Sequence, residues 1–214
     1  MSKWHPYIEW DLNGTDHLPS DWQRQVARAI EKCGKQTSLT GGSDQSREKD
    51  SHYLIDVIVV TGDACAGELP WLRRLYEGPL VEFVSKTLER PYFIAKDLRS
   101  SININCLRGI GARYEAHVDT NPLTGVLFAC AASASTGGEL VFDNGDGRVA
   151  RVEPRPGVFI AFDARMISHY VSPLLVNMDR VSLPMNYYDD PQVQHRPEGL
   201  DNYLYEQQSA RSRS

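Results

Sequence analysis

Two side chains that commonly bind divalent metals lie two residues apart in the run YEAHVD at residues 114–119. Alternate residues of a β-strand point to the same face, so His117 and Asp119 are expected to project together. An imidazole and a carboxylate are two of the three ligands of the facial triad that binds non-haem Fe(II) and leaves coordination positions open. His169, in a later strand-like run, is the candidate third ligand. The alternative is that each histidine is an ordinary core or surface residue with a satisfied hydrogen bond.

A second polar pair, Arg180 and Ser182, shows the same spacing of two residues. A guanidinium binds a carboxylate through two parallel hydrogen bonds, and a hydroxyl can add another. The pair is therefore a candidate site for a carboxylate, and the far carboxylate of 2-oxoglutarate is one that it could hold while the 2-oxo-acid end chelates the iron. A surface arginine in an ion pair is the alternative interpretation.

The elements that must position these residues are short strands, because apolar runs recur between Gly, Pro, Asn and Asp after about Ser101. The eight candidate strands are Ile102–Leu107, Arg113–Val118, Gly125–Ala131, Glu139–Phe142, Arg148–Val152, Val158–Phe162, Ile167–Val171 and Arg180–Tyr187. This spacing predicts a mainly β fold with flanking helices, and a double-stranded β-helix, the cupin-like jelly roll, is the natural candidate.

We expect one domain over residues 1–214, with residues 1–100 as helical and strand support, 101–190 as the jelly-roll core and 191–214 as a lid or tail. The first region predicts helices around a buried strand at Tyr53–Val60, and Gly78-Pro79 is expected to divide the second helical stretch. The helices should pack on the outer face of one sheet. The polar run Gly41–Ser51 predicts a loop, and the aromatic run Tyr203–Tyr205 is a candidate lid over the pocket.

The composition is that of a globular protein, with 41% hydrophobic and 24% charged residues. The formal net charge of −5 should repel a phosphate backbone, which disfavours nucleic acid as a partner. No apolar stretch is long enough to span a bilayer, and the four cysteines form no C-x-x-C pair. We therefore expect a cytoplasmic protein without a nucleic-acid or membrane partner, and its oligomeric state is left open.

The segment from about Ser101 to Tyr188 resembles the 2-oxoglutarate and Fe(II)-dependent oxygenase superfamily, in its prolyl-hydroxylase-like branch. The matching features are His117-x-Asp119, the turn and strand Gly137–Phe142, the run Pro156–Asp163, His169 and Arg180-x-Ser182. The resemblance implies an enzyme with Fe(II), 2-oxoglutarate and O2, and ascorbate is a further candidate. It implies iron bound by His117, Asp119 and His169, and 2-oxoglutarate bound by Arg180 with help from Ser182.

One position departs from this branch, in which many members use a tyrosine on the strand after His-x-Asp to reach the 2-oxoglutarate carboxylate. Here that position is Phe128, which has no hydroxyl. Thr124 or Asn105 is the candidate replacement, and the alternation along its strand leaves two orientations open for Asn105, one facing the pocket and one exposed. Because Asp119 supplies a carboxylate where related halogenases have a small residue, hydroxylation is expected rather than halogenation.

The substrate is predicted from a weaker resemblance of Tyr114–Phe142 to small bacterial hydroxylases that act on free amino acids in natural-product biosynthesis and are related to amino-acid halogenases. A free amino acid needs a cation for its α-carboxylate, and Arg73, Arg74, Arg113 and Arg165 are the candidates. Thr120 and Glu115 are the candidates for binding its amine. For each of these side chains, a solvated surface position is the alternative.

Two other functions use the same residues differently. A prolyl or asparaginyl hydroxylase acting on a peptide or protein would need an exposed groove beside the same iron. A cupin-like metal or ligand-binding module would have no need for Arg180-x-Ser182. Nucleic-acid demethylation is disfavoured by the acidic charge balance and by the lack of a basic, aromatic-rich patch.

Overall fold

The computed structural model describes residues 4–40, 45–48, 54–198 and 200–205. The strands are β1 (Tyr7–Asp11), β2 (Lys35–Thr40), β3 (Leu54–Val60), β4 (Phe93–Ile94), β5 (Ile104–Arg108), β6 (Tyr114–His117), β7 (Leu123–Phe128), β8 (Leu140–Asp143), β9 (Val149–Val152), β10 (Val158–Phe162), β11 (Ser168–Val171) and β12 (Asp179–Tyr188). The helices are α1 (Trp22–Cys33), α2 (Gly62–Glu68), α3 (Pro70–Leu75), α4 (Val81–Thr87), α5 (Leu98–Ser101) and α6 (Leu200–Tyr205), with a π-helical turn at Tyr76–Leu80.

The strands form two antiparallel sheets. The larger sheet has the order β1-β10-β7-β12-β5-β3-β2, with β4 also paired to β12, and the smaller has the order β6-β11-β8-β9. All eight strands predicted after Ser101 are present as β5–β12, and the mainly β fold is confirmed. Because β1 pairs with β10 and β3 pairs with β5, the large sheet crosses the boundary predicted at residue 100.

Three strands of the first hundred residues, β1, β2 and β4, were not predicted. The run KQTSLT of β2 is polar because β2 is the last strand of the large sheet and pairs only with β3. Such an edge strand lacks the apolar alternation by which strands are recognised, and β4 has only two residues. Tertiary pairing, and not local pattern, makes these segments strands.

Strand β12 shows how the large sheet separates two environments. Leu183 and Met185 point to one face, where they pack with the helices in the main core. Arg180 and Ser182 point to the other face, towards the small sheet. Burial of each large apolar side chain contributes about 1.5–3 kcal/mol, so the helical layer firmly orients the polar row on the opposite face.

The helical layer packs as predicted on the outer face of the large sheet. Gly34 ends α1, and its N–H donates to the carbonyl of Ile30 at 2.9 Å. The predicted division at Gly78-Pro79 is wrong in detail, because the helical backbone continues through the π-helical turn into α4. A wider turn accommodates the missing N–H of Pro79 without ending the helix. No helix in the described ranges is long and apolar enough to cross a membrane.

Part of the predicted loop Gly41–Ser51 is hydrogen-bonded to the chain at β6, the strand that carries His117. Residues 45–48 run beside β6, where the N–H of Val118 donates to the carbonyl of Gln45 at 3.0 Å and Ser46 forms a bridge opposite His117. Glu48 accepts two hydrogen bonds from the Arg113 guanidinium, at 2.8 and 2.7 Å. The prediction for residues 41–44 and 49–51 lies outside the described residues.

Candidate metal centre and its pocket

Three potential metal ligands converge between the sheets. Strands β6 and β11 pair so that His117 and His169 are directly opposite each other, and Asp119 follows two residues after β6 ends. Oδ1 of Asp119 lies 3.5 Å from Nε2 of His117 and 3.8 Å from Nε2 of His169. Ligand bonds of about 2.0–2.2 Å put two donors of one ion at most about 4.4 Å apart, so both separations fit a shared ion.

Backbone carbonyls orient both imidazoles. Nδ1 of His117 lies 2.7 Å from the carbonyl oxygen of Glu115, and Nδ1 of His169 lies 3.1 Å from that of Ile167. A carbonyl oxygen only accepts, so each Nδ1 donates its hydrogen to that carbonyl, and each Nε2 is the ring nitrogen that points to the common centre. Burial and the neighbouring His117 lower the pKa of His169 to about 4, so this imidazole is neutral near pH 7.

The carboxylate of Asp119 is held on its second oxygen. Thr124 donates its hydroxyl to Oδ2 of Asp119 at 2.5 Å, and the Asn121 amide donates to the Thr124 hydroxyl at 2.9 Å. The backbone N–H of Asp119 also donates to the carbonyl of Ala164 at 2.8 Å. Thr124 lines the pocket, but its only hydroxyl hydrogen is used on Asp119. Its predicted contact with 2-oxoglutarate stays a prediction, and it would be made as an acceptor at most.

Arg180 provides a buried cation in the same pocket and is only 4% exposed. Its Nε donates to the carbonyl of Gly138 at 2.9 Å, and one terminal nitrogen donates to the Ser182 hydroxyl at 3.0 Å. Within the described ranges, no carboxylate forms an ion pair with Arg180, and burial lowers the pKa of its guanidinium. An uncompensated buried charge costs several kcal/mol, so this site is suited to an anion.

Asn105, Ser182 and Phe128 form one row across three strands, because Ser182 on β12 is opposite Asn105 on β5 and Phe128 on β7. Asn105 therefore faces the pocket, which was one of its two predicted orientations. Phe128 is fully buried, and its ring centroid lies 5.9 Å from the guanidinium carbon of Arg180. Phe128 supports the cation as an apolar neighbour, and Asn105 offers the polar group that Phe128 lacks.

The two candidates for binding a substrate amine do line the pocket. Glu115 is buried on the same face of β6 as His117, and its Oε2 accepts from the Ser46 hydroxyl at 2.8 Å. Thr120 follows directly after Asp119 and also lines the cavity, whose volume is about 200 Å³. Their roles in substrate binding stay predictions.

The structure corrects the positions expected for Arg73 and Arg74. Both lie on α3, whose apolar residues Trp71 and Leu72 pack into the core on the opposite face of the large sheet. An amphipathic helix in that position must point its arginines away from the sheet, and therefore away from the pocket. Arg73 pairs with Glu77 at 2.6 Å, and Arg74 is exposed.

The other candidate cations are engaged elsewhere, since Arg113 pairs with Glu48 and Arg165 pairs with Asp189 at 3.5 Å. Sequence reasoning missed Arg196, which lines the pocket from the segment predicted to be a lid or tail. No local pattern marks this residue, because it lies in a polar stretch without regular structure.

Helix α6 forms part of the pocket wall, and the lid role predicted for the C-terminal segment stays a prediction. Leu200 and Leu204 line the cavity, and the Tyr205 hydroxyl is hydrogen-bonded to the Asn103 side chain. Tyr205 is buried against the apolar cluster around Val57. The segment thus both docks on the core and borders the pocket. The side chain of Tyr203 lies outside the described part of the chain.

No family model and no curated protein sequence matches this chain. Solved structures do match. An oxidoreductase of the 2OG-Fe(II) oxygenase family from Burkholderia pseudomallei superimposes with a TM-score of 0.64 and 17% identity over 86% of each chain. The non-haem α-ketoglutarate-dependent epimerase SnoN from nogalamycin biosynthesis gives 0.61 and 14% identity, covering 86% of this chain and 76% of the epimerase.

A prolyl hydroxylase from Trichoplax adhaerens, solved with a peptide fragment of hypoxia inducible factor, gives a TM-score of 0.59 and 15% identity, covering 86% of this chain and 84% of the hydroxylase. At these identities the likeness concerns the fold. The chain has the double-stranded β-helix fold of the 2-oxoglutarate and Fe(II)-dependent oxygenases, including their prolyl-hydroxylase-like members. The predicted fold and the recognised resemblance are confirmed at this level.

Proposed function

We propose that this protein is an Fe(II)- and 2-oxoglutarate-dependent dioxygenase that hydroxylates an unactivated C–H bond of a small molecule. One observation carries the proposal. Two imidazoles and a carboxylate that fit a shared ion line the same cavity as a buried arginine with no carboxylate partner in the described ranges. A metal site at one end of the pocket and a buried cation at the other are what a cosubstrate with a chelating 2-oxo acid and a second carboxylate requires.

The residues present suit both groups. His117, Asp119 and His169 would hold Fe(II), because they combine two imidazole nitrogens with a carboxylate oxygen. When bound, Fe(II) and 2-oxoglutarate supply O2-dependent oxidation of a C–H bond, coupled to loss of CO2 and formation of succinate. Arg180 and Ser182 would bind the far carboxylate of 2-oxoglutarate, and Asn105 would donate a further hydrogen bond from the same sheet.

The size of the cavity favours a small substrate. Its volume of about 200 Å³ is below the roughly 300–1,000 Å³ of typical ligand pockets, and the cosubstrate must share this space. A free amino acid or a derivative of one fits this limit. Arg196 is a candidate for its carboxylate, whereas Glu115 and Thr120 are candidates for its amine.

Anaerobic titration tests the metal and cosubstrate assignments together. Addition of 2-oxoglutarate to the Fe(II)-loaded protein should produce a weak visible charge-transfer band, because the 2-oxo acid chelates the metal. A cupin-like binding module would bind metal without this band. Absence of the band at saturating Fe(II) and 2-oxoglutarate would reject the proposed function.

A succinate-release screen then tests the substrate class. The screen should contain the free amino acids, their amide derivatives and short peptides that carry the same side chains. We expect stimulation by one or a few free amino acids. Stimulation by peptides alone would support the alternative, a prolyl or asparaginyl hydroxylase acting on a peptide or protein.

A further inference from the structure

Asp119 has two carboxylate oxygens, and the structure gives them different surroundings. Oδ1 faces the Nε2 atoms of both histidines, at 3.5 and 3.8 Å. Oδ2 accepts the Thr124 hydroxyl at 2.5 Å and lies on the side of the buried pair Asn121 and Thr124, which are 4% and 3% exposed. We propose that Asn121 and Thr124 are positioning residues that make Asp119 a one-oxygen ligand of the iron, an inference that rests on the proposed function.

The direction of the hydrogen bonds follows from their chemistry. An ionised carboxylate only accepts, so Thr124 must donate its single hydroxyl hydrogen to Asp119. The Thr124 oxygen is then an acceptor for the Asn121 amide nitrogen at 2.9 Å, and the same nitrogen donates to the carbonyl of Leu123 at 2.7 Å. The bond to Leu123 fixes the Asn121 amide, and the two hydrogens donated from Asn121 to Thr124 and from Thr124 to Asp119 both point towards Asp119.

The location of the relay makes it rigid. Thr124 lies on β7, in register with Phe162 on β10 and Asn186 on β12, so its backbone is held by strands on both sides. Asp119 lies outside regular structure. Besides the bond from Thr124 to its side chain, its backbone N–H donates to the carbonyl of Ala164. The large sheet therefore orients a carboxylate that the small sheet does not hold.

One-oxygen coordination matters because open positions on the metal are few. Three protein donors leave three positions on a six-coordinate ion, and chelation by 2-oxoglutarate needs two of them. A carboxylate that turned to bind through both oxygens would occupy a position that the cosubstrate or O2 requires. By holding Oδ2, Thr124 keeps Oδ1 aimed at the metal and preserves that position.

The matched variants are Thr124→Val, which keeps the shape but removes the hydroxyl, and Thr124→Ser, which keeps the hydroxyl. Anaerobic calorimetric titration should show Fe(II) affinity weakened roughly 10- to 100-fold in Thr124→Val and restored to within about threefold in Thr124→Ser. Thr37→Val is the control, because Thr37 is also a buried strand threonine but does not line the pocket, and the iron affinity of this variant should be unchanged. Thermal unfolding of the metal-free proteins verifies that each variant is folded.

A double-mutant cycle separates positioning from a general structural effect. The cycle uses Ni(II), which binds the same donors more tightly and keeps the weakest variant measurable. In an Asp119→Ala background, Thr124→Val should change Ni(II) affinity less than twofold, because the oxygen that Thr124 holds is gone. Equal metal affinity of the wild type and Thr124→Val, or an undiminished effect without Asp119, would overturn the inference while the charge-transfer band of the wild type still supported the proposed function. A wild type that binds neither metal would reject both.

Discussion

The two ends of the pocket are built in opposite ways. At the metal end, the side chains of His117 and Asp119 are 20% and 22% exposed and belong to β6 and the residues that follow it. At the cation end, Arg180 is almost completely buried on β12, in the interior of the large sheet. The first end is open to exchange of ligands. The second end is closed to bulk solvent, and no carboxylate of the described residues pairs with its guanidinium, so it is suited to an anion that enters the pocket.

This difference indicates that the two sheets would contribute differently, one to the selection of the cosubstrate and the other to the reaction at the metal. A cation held without a carboxylate in a closed site discriminates strongly, because only a ligand with a matching anion satisfies it. A partly open metal site would discriminate weakly but would admit 2-oxo acid, substrate and O2. The small sheet would therefore provide the chemistry, whereas the large sheet would choose the cosubstrate.

The largest expected effect is at the metal end. Replacement of His169 by alanine removes one of three donors, and Fe(II) affinity should fall by more than about 100-fold in an anaerobic calorimetric titration. The matched control is His195→Ala, because His195 is exposed and does not line the pocket. Unchanged iron affinity in His169→Ala would break the assignment of the metal end.

The next effect is at the cation end. Arg180→Met removes the charge but keeps much of the volume, and 2-oxoglutarate affinity should fall by about 2–5 kcal/mol, which is roughly 30-fold or more. Iron affinity should be unchanged. The wild type should also prefer 2-oxoglutarate over 2-oxobutyrate, which lacks the far carboxylate, and Arg180→Met should lose this preference.

Arg108→Met is the control for Arg180→Met, since Arg108 lies on the neighbouring strand but is exposed and paired with Asp179 at 2.7 Å. Its affinity for 2-oxoglutarate should equal that of the wild type. If Arg180→Met still distinguishes the two 2-oxo acids, the guanidinium does not bind the far carboxylate and the contrast between the two ends fails.

A smaller effect tests the polar row beside the cation. Asn105→Ala should weaken 2-oxoglutarate binding by about 0.5–1.5 kcal/mol, the usual net contribution of one hydrogen bond. Fluorescence or calorimetric titration of the Fe(II)-loaded variant measures this change. A loss as large as that of Arg180→Met would mean that the cation does not dominate this end, and no loss would remove Asn105 from the cosubstrate site.

The smallest effect concerns the ion pair of Arg113 with Glu48, which lies beside β6. The Arg113 guanidinium lowers the pKa of Glu48, so this pair stabilises the fold above the unfolded pKa of about 4.3 and loses its contribution as the pH falls through the lower folded pKa. Because both side chains are about a quarter exposed, Glu48→Gln should cost only about 0.5–1 kcal/mol at pH 7. Urea unfolding should show this difference at pH 7 and a smaller one near pH 3. If the wild type and Glu48→Gln differed in unfolding free energy as much near pH 3 as at pH 7, the contribution of Glu48 would not be ionic.

Particular residues show how far the sequence could be interpreted. The spacing of His117 and Asp119, and of Arg180 and Ser182, sufficed to identify the polar groups that meet in one pocket. Strands β5–β12 were recognisable because their apolar residues recur at short, regular intervals. By contrast, β1 and β2 became strands only by pairing with their neighbours, and the helical arginine Arg73 was assigned to a pocket that its helix cannot reach.

The amino-acid sequence by itself determined which side chains share a face of a strand, because alternation along an extended backbone is a local property. It also determined the donor types that define the metal chemistry. Only the tertiary structure decided that His117 faces His169, that Thr124 holds one oxygen of Asp119, and that Arg196 borders the cavity. These contacts join segments that meet through sheet pairing and packing, so no local pattern along the chain encodes them.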